Sequence, residues 1–152
     1  MDKYFRTQQG ELVNIVEHTL EQLEKWPNLK VYIGSDGQCY GDKTRYATVI
    51  VYRYGNRGAH FIYKREEIDR HKTDYMRLYE EGLRTVEAAA LLEEEIPIRI
   101  EALEFDYAAV KKTISSMLVG AFKYLQNAIF KGGQQIATKA ADHVCRHPDI
   151  YK

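Results

Sequence analysis

The N-terminal segment carries its apolar residues at helical spacing. Between Gln8 and Trp26 they recur at steps of three and four residues, at Leu12, Ile15, Val16, Leu20 and Leu23. This period is typical of an amphipathic helix. Pro27 and Asn28 then end the pattern. The sequence therefore predicts a leading helix that packs one face against the rest of the chain.

The next forty residues have the composition of β-strands. Leu29–Asp36, Thr44–Tyr54 and Ala59–Arg65 are rich in β-branched and aromatic residues. Turn-forming residues separate them, at 37–43 and at Gly55–Gly58. Short connections of this kind join antiparallel neighbours, so we expect a three-stranded meander.

Beyond the meander the pattern alternates between helix and strand. The predicted elements are a helix over Thr73–Glu95, a strand over Ile98–Phe105, a helix over Ala108–Gln126, a short strand at Ala128–Phe130 and a helix over Gln135–Arg146. Strands separated by helices pair in parallel through right-handed crossovers. The fold class is therefore α/β, with a five-stranded mixed sheet flanked by helices.

Length and composition are those of one ordinary globular domain. We expect residues 1–152 to form a single domain, with 1–28 as an N-terminal helical extension and 29–147 as its core. No stretch approaches the roughly 18 apolar residues of a membrane span, and the N-terminus lacks the layout of a secretory signal. Two distant cysteines, Cys39 and Cys145, do not suggest a disulfide framework. A cytoplasmic protein with no membrane partner is the expectation.

The charge balance argues against tight nonspecific binding to nucleic acid. Lys plus Arg and Asp plus Glu both total 22, which gives a net charge of zero. This balance does not exclude a nuclease, because local basic patches and bridging metal ions hold phosphates without a net positive charge.

Four carboxylates lie at positions that can converge. They are Asp36 at the end of the first strand, Glu80 in the following helix, Asp106 at the end of the fourth strand and Asp142 in the last helix. Sites in open α/β sheets form beyond the carboxyl ends of parallel strands. Mg²⁺ and Mn²⁺ require hard oxygen ligands, and a bound cation relieves the repulsion within such a cluster. These four residues are the predicted metal ligands and catalytic residues.

Each acid also has a simpler structural interpretation. Asp36 is a turn-forming aspartate before glycine, Asp106 is a helix N-cap, and Asp142 is an exposed helical side chain. Among the helical glutamates we choose by phase. Glu80 and Glu87 flank the stripe of Met76, Tyr79, Leu83, Val86 and Ala90, whereas Glu81 points nearly away from it.

Auxiliary residues are less distinctive. His143 is the best candidate among His71, His143 and His147 for assisting proton transfer, and Glu87 is the second candidate for the helical acid. Lys43 and Arg45, interleaved with tyrosines on the meander, are predicted to bind the substrate backbone. Alternating basic and aromatic residues also make an ordinary exposed sheet face.

The chain resembles the ribonuclease H-like superfamily from Leu29 onward. The segments Ile33–Gln38, Tyr40–Thr44, Thr48–Val51 and Ala141–His143 also look like the bacterial YkuK family. The resemblance implies the strand order 3-2-1-4-5 and a four-acid site. It implies that Asp36 is the first-strand ligand and that the helical acid lies early in its helix, which favours Glu80. It also implies that Asp106 is the third acid and that Asp142 completes the site.

The function implied is that of a metal-dependent nuclease. It would hydrolyse phosphodiester bonds in RNA, an RNA/DNA hybrid or structured DNA with carboxylate-bound Mg²⁺ or Mn²⁺. The alternative is a non-catalytic module of the same fold that binds nucleic acid or a protein partner. Nucleotide binding, as in the actin-like ATPases, ranks last because the chain is too short for their duplicated domains.

Overall fold

A single mixed sheet of seven strands organises the computed structural model, which describes residues 2–105, 130–132 and 136–151. The elements in chain order are β1 (Tyr4–Thr7), β2 (Leu12–Asn14), α1 (Ile15–Lys25), β3 (Lys30–Tyr40), β4 (Lys43–Arg53), β5 (Ala59–Asp69), α2 (Asp74–Glu95), β6 (Ala102–Phe105), β7 (Phe130–Gly132) and α3 (Ile136–Arg146). The predicted helix over Ala108–Gln126 lies outside the described residues.

The strand order is β2-β1-β5-β4-β3-β6-β7. Strand β4 pairs antiparallel with both β3 and β5, whereas β6 pairs parallel with both β3 and β7. The five strands from β3 to β7 therefore have the predicted order 3-2-1-4-5, and the α/β fold class is confirmed. Two further strands extend the sheet at the β5 edge.

The N-terminal extension differs from the prediction of one long helix. Helix α1 begins only at Ile15, where the Asn14 side chain accepts hydrogen bonds from two helix N–H groups. Before it, β1 and β2 form a hairpin whose turn holds Gly10 at φ 89°. Arg6 of β1 pairs with Tyr63 of β5. The pairing of this short hairpin with a distant strand overrode the local helical period.

Strand β3 runs four residues past the predicted end, through Asp36 to Tyr40. Gly37 pairs with Tyr46 inside the β3–β4 ladder, and the chain turns at Gly41, where φ is 56°. The expectation that Asp36 ends a strand and that Gly37 begins a turn is therefore wrong. A glycine inside a strand often marks a close approach of another group, and Gly37 is such a position.

Other boundaries move by a few residues. Strand β5 continues to Asp69, and β6 begins only at Ala102, although Ile98 and Ile100 before it are buried. The last helix starts at Ile136, one residue after its predicted start.

The sheet packs helices on both faces. One core cluster joins Val31, Ile33 and Ile50 to residues of α1 and α2, and the other joins Tyr32 and Val49 to residues of α3. Successive residues of β3 alternate between these clusters because side chains of a strand point to opposite faces. Within the described part of the chain, no helix combines the length and the apolar character needed to cross a membrane.

Candidate functional site

Asp36 lies on the sheet face that α3 covers. Gly34, two residues earlier on the same face, admits the helix: a Cβ placed there would lie 2.9 Å from the backbone nitrogen of Thr138 and 3.1 Å from the Cβ of Ala137. The helix therefore sits against β3, and its later turn brings Asp142 to the level of Asp36.

Gln38 connects these two carboxylates. Its side-chain nitrogen donates to Oδ2 of Asp36 at 2.8 Å and to Oδ1 of Asp142 at 3.0 Å. Asp36 and Gln38 are two residues apart in a strand, so their side chains leave the same face. The structure thus brings together two of the predicted site acids, Asp36 and Asp142, through a residue that the sequence analysis did not identify.

The Asp36 carboxyl is held in an environment that disfavours its charge. Burial raises the pKa of Asp36 to about 6; the Gln38 hydrogen bond opposes this rise, while the Asp142 carboxyl adds to it. Two carboxyl groups that share a partly buried position repel each other, and a bound cation would relieve this repulsion.

Asp142 and its neighbour Cys145 complete this side of the site. Arg146 Nε donates to both oxygens of Asp142, at 2.8 and 3.0 Å. The Cys145 thiol donates to the backbone oxygen of Asp36 at 3.5 Å, and burial together with the Asp36 charge raises its pKa. Cys145 is therefore a packing residue and not a reactive thiol.

Glu81 is the helical acid that reaches the residue next to Asp36. Its Oε1 accepts the backbone N–H of Gly37 at 2.7 Å and an Arg77 N–H at 2.8 Å, and Glu81 is only 4% exposed. The last β3–β6 pair is at Gly34, three residues before Gly37. The pairing with β6 does not extend to Gly37, and a helix side chain binds the N–H of Gly37 instead.

The prediction that Glu81 points away from the packed face of its helix is wrong. The buried face of α2 consists mainly of small residues, Gly82, Thr85, Ala88 and Ala89, together with Glu81, Val86 and Leu92. Met76, a residue of the predicted apolar stripe, is 38% exposed. The prediction used the large apolar residues to locate the buried face of the helix. Small residues let a helix approach a sheet closely, but they give no strong hydropathy signal, so the buried face was placed wrongly.

Glu80 and Glu87 have other surroundings. Glu80 pairs with Arg84 at 2.5 Å, and its second oxygen lies 4.0 Å from Nε2 of His71. The Arg84 guanidinium also binds Glu66 at 2.7 Å and covers the ring of Tyr46. Glu87 is exposed on α2. The described contacts of neither glutamate include Asp36 or Asp142.

Asp106 lies outside the described residues. Strand β6 ends at Phe105, one position before it, and Glu104 of β6 is level with Gly34 of β3.

Glu104 is a buried acid that the sequence analysis missed. Its Oε1 accepts N–H bonds from Ala137 at 2.7 Å and Thr138 at 3.0 Å, in the first turn of α3. The N–H groups of a helix's first turn are those that side chains commonly cap, and a carboxylate there also complements the helix dipole. The available signal for this acid was a glutamate within a short strand that is buried on both faces.

The predicted substrate residues have partners of their own. Lys43 pairs with Asp69 at 2.6 Å, while Arg45 binds Glu67 and donates to the Cys145 carbonyl at 2.9 Å. Arg45 also stacks over the exposed Tyr40 ring at 4.5 Å. His143 is exposed and stacks on His147, with ring centroids 4.2 Å apart.

The described part of the chain contains no group of three or more His, Cys, Asp or Glu residues placed to hold a metal ion. Gln38, Arg77 and Arg146 instead satisfy Asp36, Glu81 and Asp142. The donor set nevertheless suits a hard cation, since carboxylate oxygens are the ligands that Mg²⁺ and Mn²⁺ prefer.

Comparison with known proteins assigns the fold. No curated protein matches the chain. The crystal structure of LC11-RNase H1 in complex with an RNA/DNA hybrid is similar, with a TM-score of 0.50 and 15% sequence identity over 75% of this chain and 92% of that one. The family model described as ribonuclease H-like matches residues 11–118. The chain therefore belongs to the ribonuclease H-like family.

Proposed function

We propose that this protein is a metal-dependent nuclease of ribonuclease H-like type. It would hydrolyse phosphodiester bonds in RNA, an RNA/DNA hybrid or structured DNA. The observation that carries this proposal is the convergence of Asp36 and Asp142 on Gln38, with the pKa of Asp36 raised to about 6. Functional sites concentrate carboxylates with shifted pKa values of this kind.

The proposed ligands are Asp36, Asp142, Asp106 and one helical glutamate. For the helical position we favour Glu81 over Glu80, because Glu81 contacts Gly37 whereas Glu80 is paired with Arg84. Asp106 is included because it follows directly on β6, the parallel neighbour of β3. When bound, Mg²⁺ or Mn²⁺ would supply an activated water and stabilise the leaving oxygen.

The side chains around the acids have defined roles in this proposal. Gln38 orients the Asp36 and Asp142 carboxylates toward one point before the cation arrives. Before a cation binds, Arg146 neutralises Asp142. The Arg146 side chain is 61% exposed, and after the cation replaces it at Asp142 it would contact a substrate phosphate.

A non-catalytic module is the second candidate. The observation that favours it is the pairing of Glu81 with Arg77 and of Asp142 with Arg146, which leaves both acids satisfied without a metal. In that case the acids serve to hold helices α2 and α3 on the sheet.

Calorimetric titration with Mn²⁺ separates the two candidates. We expect saturable binding by the wild-type protein that is lost in Asp36→Asn and in Asp142→Asn but retained in Asp149→Asn, an exposed control. Cleavage of single-stranded RNA, hybrid and branched DNA should show the same dependence. Absence of binding at millimolar Mn²⁺, with and without nucleic acid, would sink the nuclease proposal and leave the binding module.

A further inference from the structure

Two histidines face each other on the side of the sheet that α1 covers. Nε2 of His18, in α1, lies 3.0 Å from Nε2 of His60, in β5. The ring centroids are 5.3 Å apart and the ring planes are nearly perpendicular. Both rings are partly exposed, and a surface cleft lined by Asn14, Glu17 and Glu21 opens beside His18.

A hydrogen-bond chain sets the tautomer of His60. The Tyr54 hydroxyl donates to Oε1 of Gln22 at 2.8 Å, so its oxygen accepts from Nδ1–H of His60. Nε2 of His60 consequently carries the lone pair and points at His18. An imidazole whose other nitrogen donates to an oxygen is the arrangement of metal-binding histidines in proteins.

Rigid neighbours hold both rings in place. His60 is stacked between Tyr52 and Tyr54, with centroid separations of 4.9 and 5.5 Å. His18 meets the edge of Tyr52, and the adjacent Thr19 binds the Tyr52 hydroxyl at 2.7 Å. The two nitrogens are therefore held close together on a helix and a strand.

The spacing fits one transition-metal ion. With metal–nitrogen bonds of about 2.0–2.1 Å, two imidazole nitrogens lie about 2.9 Å apart at a right angle and about 3.3 Å apart at a tetrahedral angle. The tetrahedral case places the ring centres about 5.2 Å apart by the same bond lengths. The observed rings, with nitrogens 3.0 Å and centroids 5.3 Å apart, point at each other head-on, so both rings would turn to direct their lone pairs at one ion. Burial lowers the pKa of both histidines, which keeps them neutral and able to ligate near pH 7.

We propose that His18 and His60 form a binding site for a divalent transition-metal ion of the Zn²⁺, Ni²⁺ or Cu²⁺ class, with water completing its coordination. Imidazole nitrogen selects this class, whereas oxygen ligands select Mg²⁺ and Mn²⁺. The negative charge of Glu21 and the positive charge of Lys25 both act on His18, in opposite directions. The site is independent of the proposed nuclease carboxylates, because its ligands come from α1 and β5.

Titration with Zn²⁺ by calorimetry and with Cu²⁺ by electron paramagnetic resonance tests the site. We expect one ion bound, with two coordinated imidazoles in the Cu²⁺ spectrum. Affinity should fall at least about tenfold in His18→Gln and His60→Gln. It should be unchanged in Asp36→Asn and in His143→Gln/His147→Gln, which alter a carboxylate and a histidine pair elsewhere among the described residues.

A substitution that keeps both imidazoles guards against effects of misfolding. Tyr54→Phe removes only the oxygen that accepts from His60, and it should weaken Zn²⁺ binding about 10- to 100-fold while the far-ultraviolet circular dichroism spectrum is unchanged. The proposal is overturned if wild-type protein binds neither ion at millimolar concentration. Binding that survives in His60→Gln but disappears in His143→Gln/His147→Gln would also overturn it. Neither of these two outcomes bears on the Mn²⁺ binding proposed for Asp36.

Discussion

Glu81 accepts the backbone N–H of Gly37 at 2.7 Å, so helix α2 is tied to β3 at the residue that follows Asp36. The same carboxylate binds Arg77, which in turn donates to the Gly37 carbonyl at 3.2 Å. Both backbone groups of Gly37 are thereby bound by side chains of one helix. This arrangement fixes the course of the strand where the candidate site lies.

Replacing Glu81 should cost much more stability than replacing its neighbour Glu80. Glu81→Ala leaves a buried N–H without its partner and removes the nearest carboxylate of Arg77, which costs about 2–4 kcal/mol. Glu80→Ala removes one oxygen partner of Arg84, which keeps Glu66, and should cost about 1 kcal/mol. Urea unfolding of both variants measures the difference. Equal losses would contradict the assignment of Glu81 as the buried acid.

Gly34→Ala should displace α3 from the sheet. The new methyl group would lie 2.9 Å from the Thr138 nitrogen, a backbone atom that cannot turn aside. We expect a loss of about 1–3 kcal/mol in the free energy of unfolding. Mn²⁺ affinity should also fall, because α3 carries Asp142. An unchanged affinity together with reduced stability would show that the two acids do not act on one ion.

Asp36→Asn should stabilise the protein more at pH 7.5 than at pH 4.5. The folded pKa of Asp36, about 6, lies above its unfolded value, so the folded state holds more protons between about pH 4 and pH 6. The contribution of Asp36 to the free energy of unfolding therefore decreases as pH rises through this window, by about 1–3 kcal/mol. Urea unfolding at the two pH values, with chelator present, measures this. If Asp36→Asn changed the free energy of unfolding equally at the two pH values, the raised pKa of Asp36 would be contradicted.

His60 should produce a pH dependence of the opposite sign. Burial, with a smaller contribution from His18, lowers the pKa of His60 to about 4, so the unfolded state holds more protons between about pH 4 and pH 6.5. Stability should therefore fall as the pH falls through this window, by about 1–3 kcal/mol.

The variant His60→Gln isolates this contribution. Its stability should change less than that of wild type between pH 7 and pH 4.5 when both are unfolded in urea with chelator present. His71→Gln, at a partly exposed histidine outside this pair, is the matched control. A wild-type pH profile that the His60 substitution leaves unaltered would contradict the interpretation.

Much of the fold was predictable because the connections are short and the crossovers have a fixed hand. The meander of β3, β4 and β5 followed from β-branched runs separated by turn residues, and the parallel pairing of β3 with β6 followed from the intervening helix. The hairpin of β1 and β2 was not predictable in this way. Strands of four and three residues carry little periodicity of their own, and β1 is held by pairing with a distant strand.

The sequence by itself determined the succession of strands and helices and the acids available near β3, because periodicity and connection length are local properties. The order of the core strands was predicted from the resemblance to the ribonuclease H-like superfamily. Only the tertiary structure decided which acids meet. Gln38 joins Asp36 to Asp142, Glu81 replaces Glu80 beside β3, and Glu104 binds the first turn of α3. The rotation of a helix and the depth at which it packs depend on small residues and on contacts between segments distant in the chain, and local hydropathy records neither.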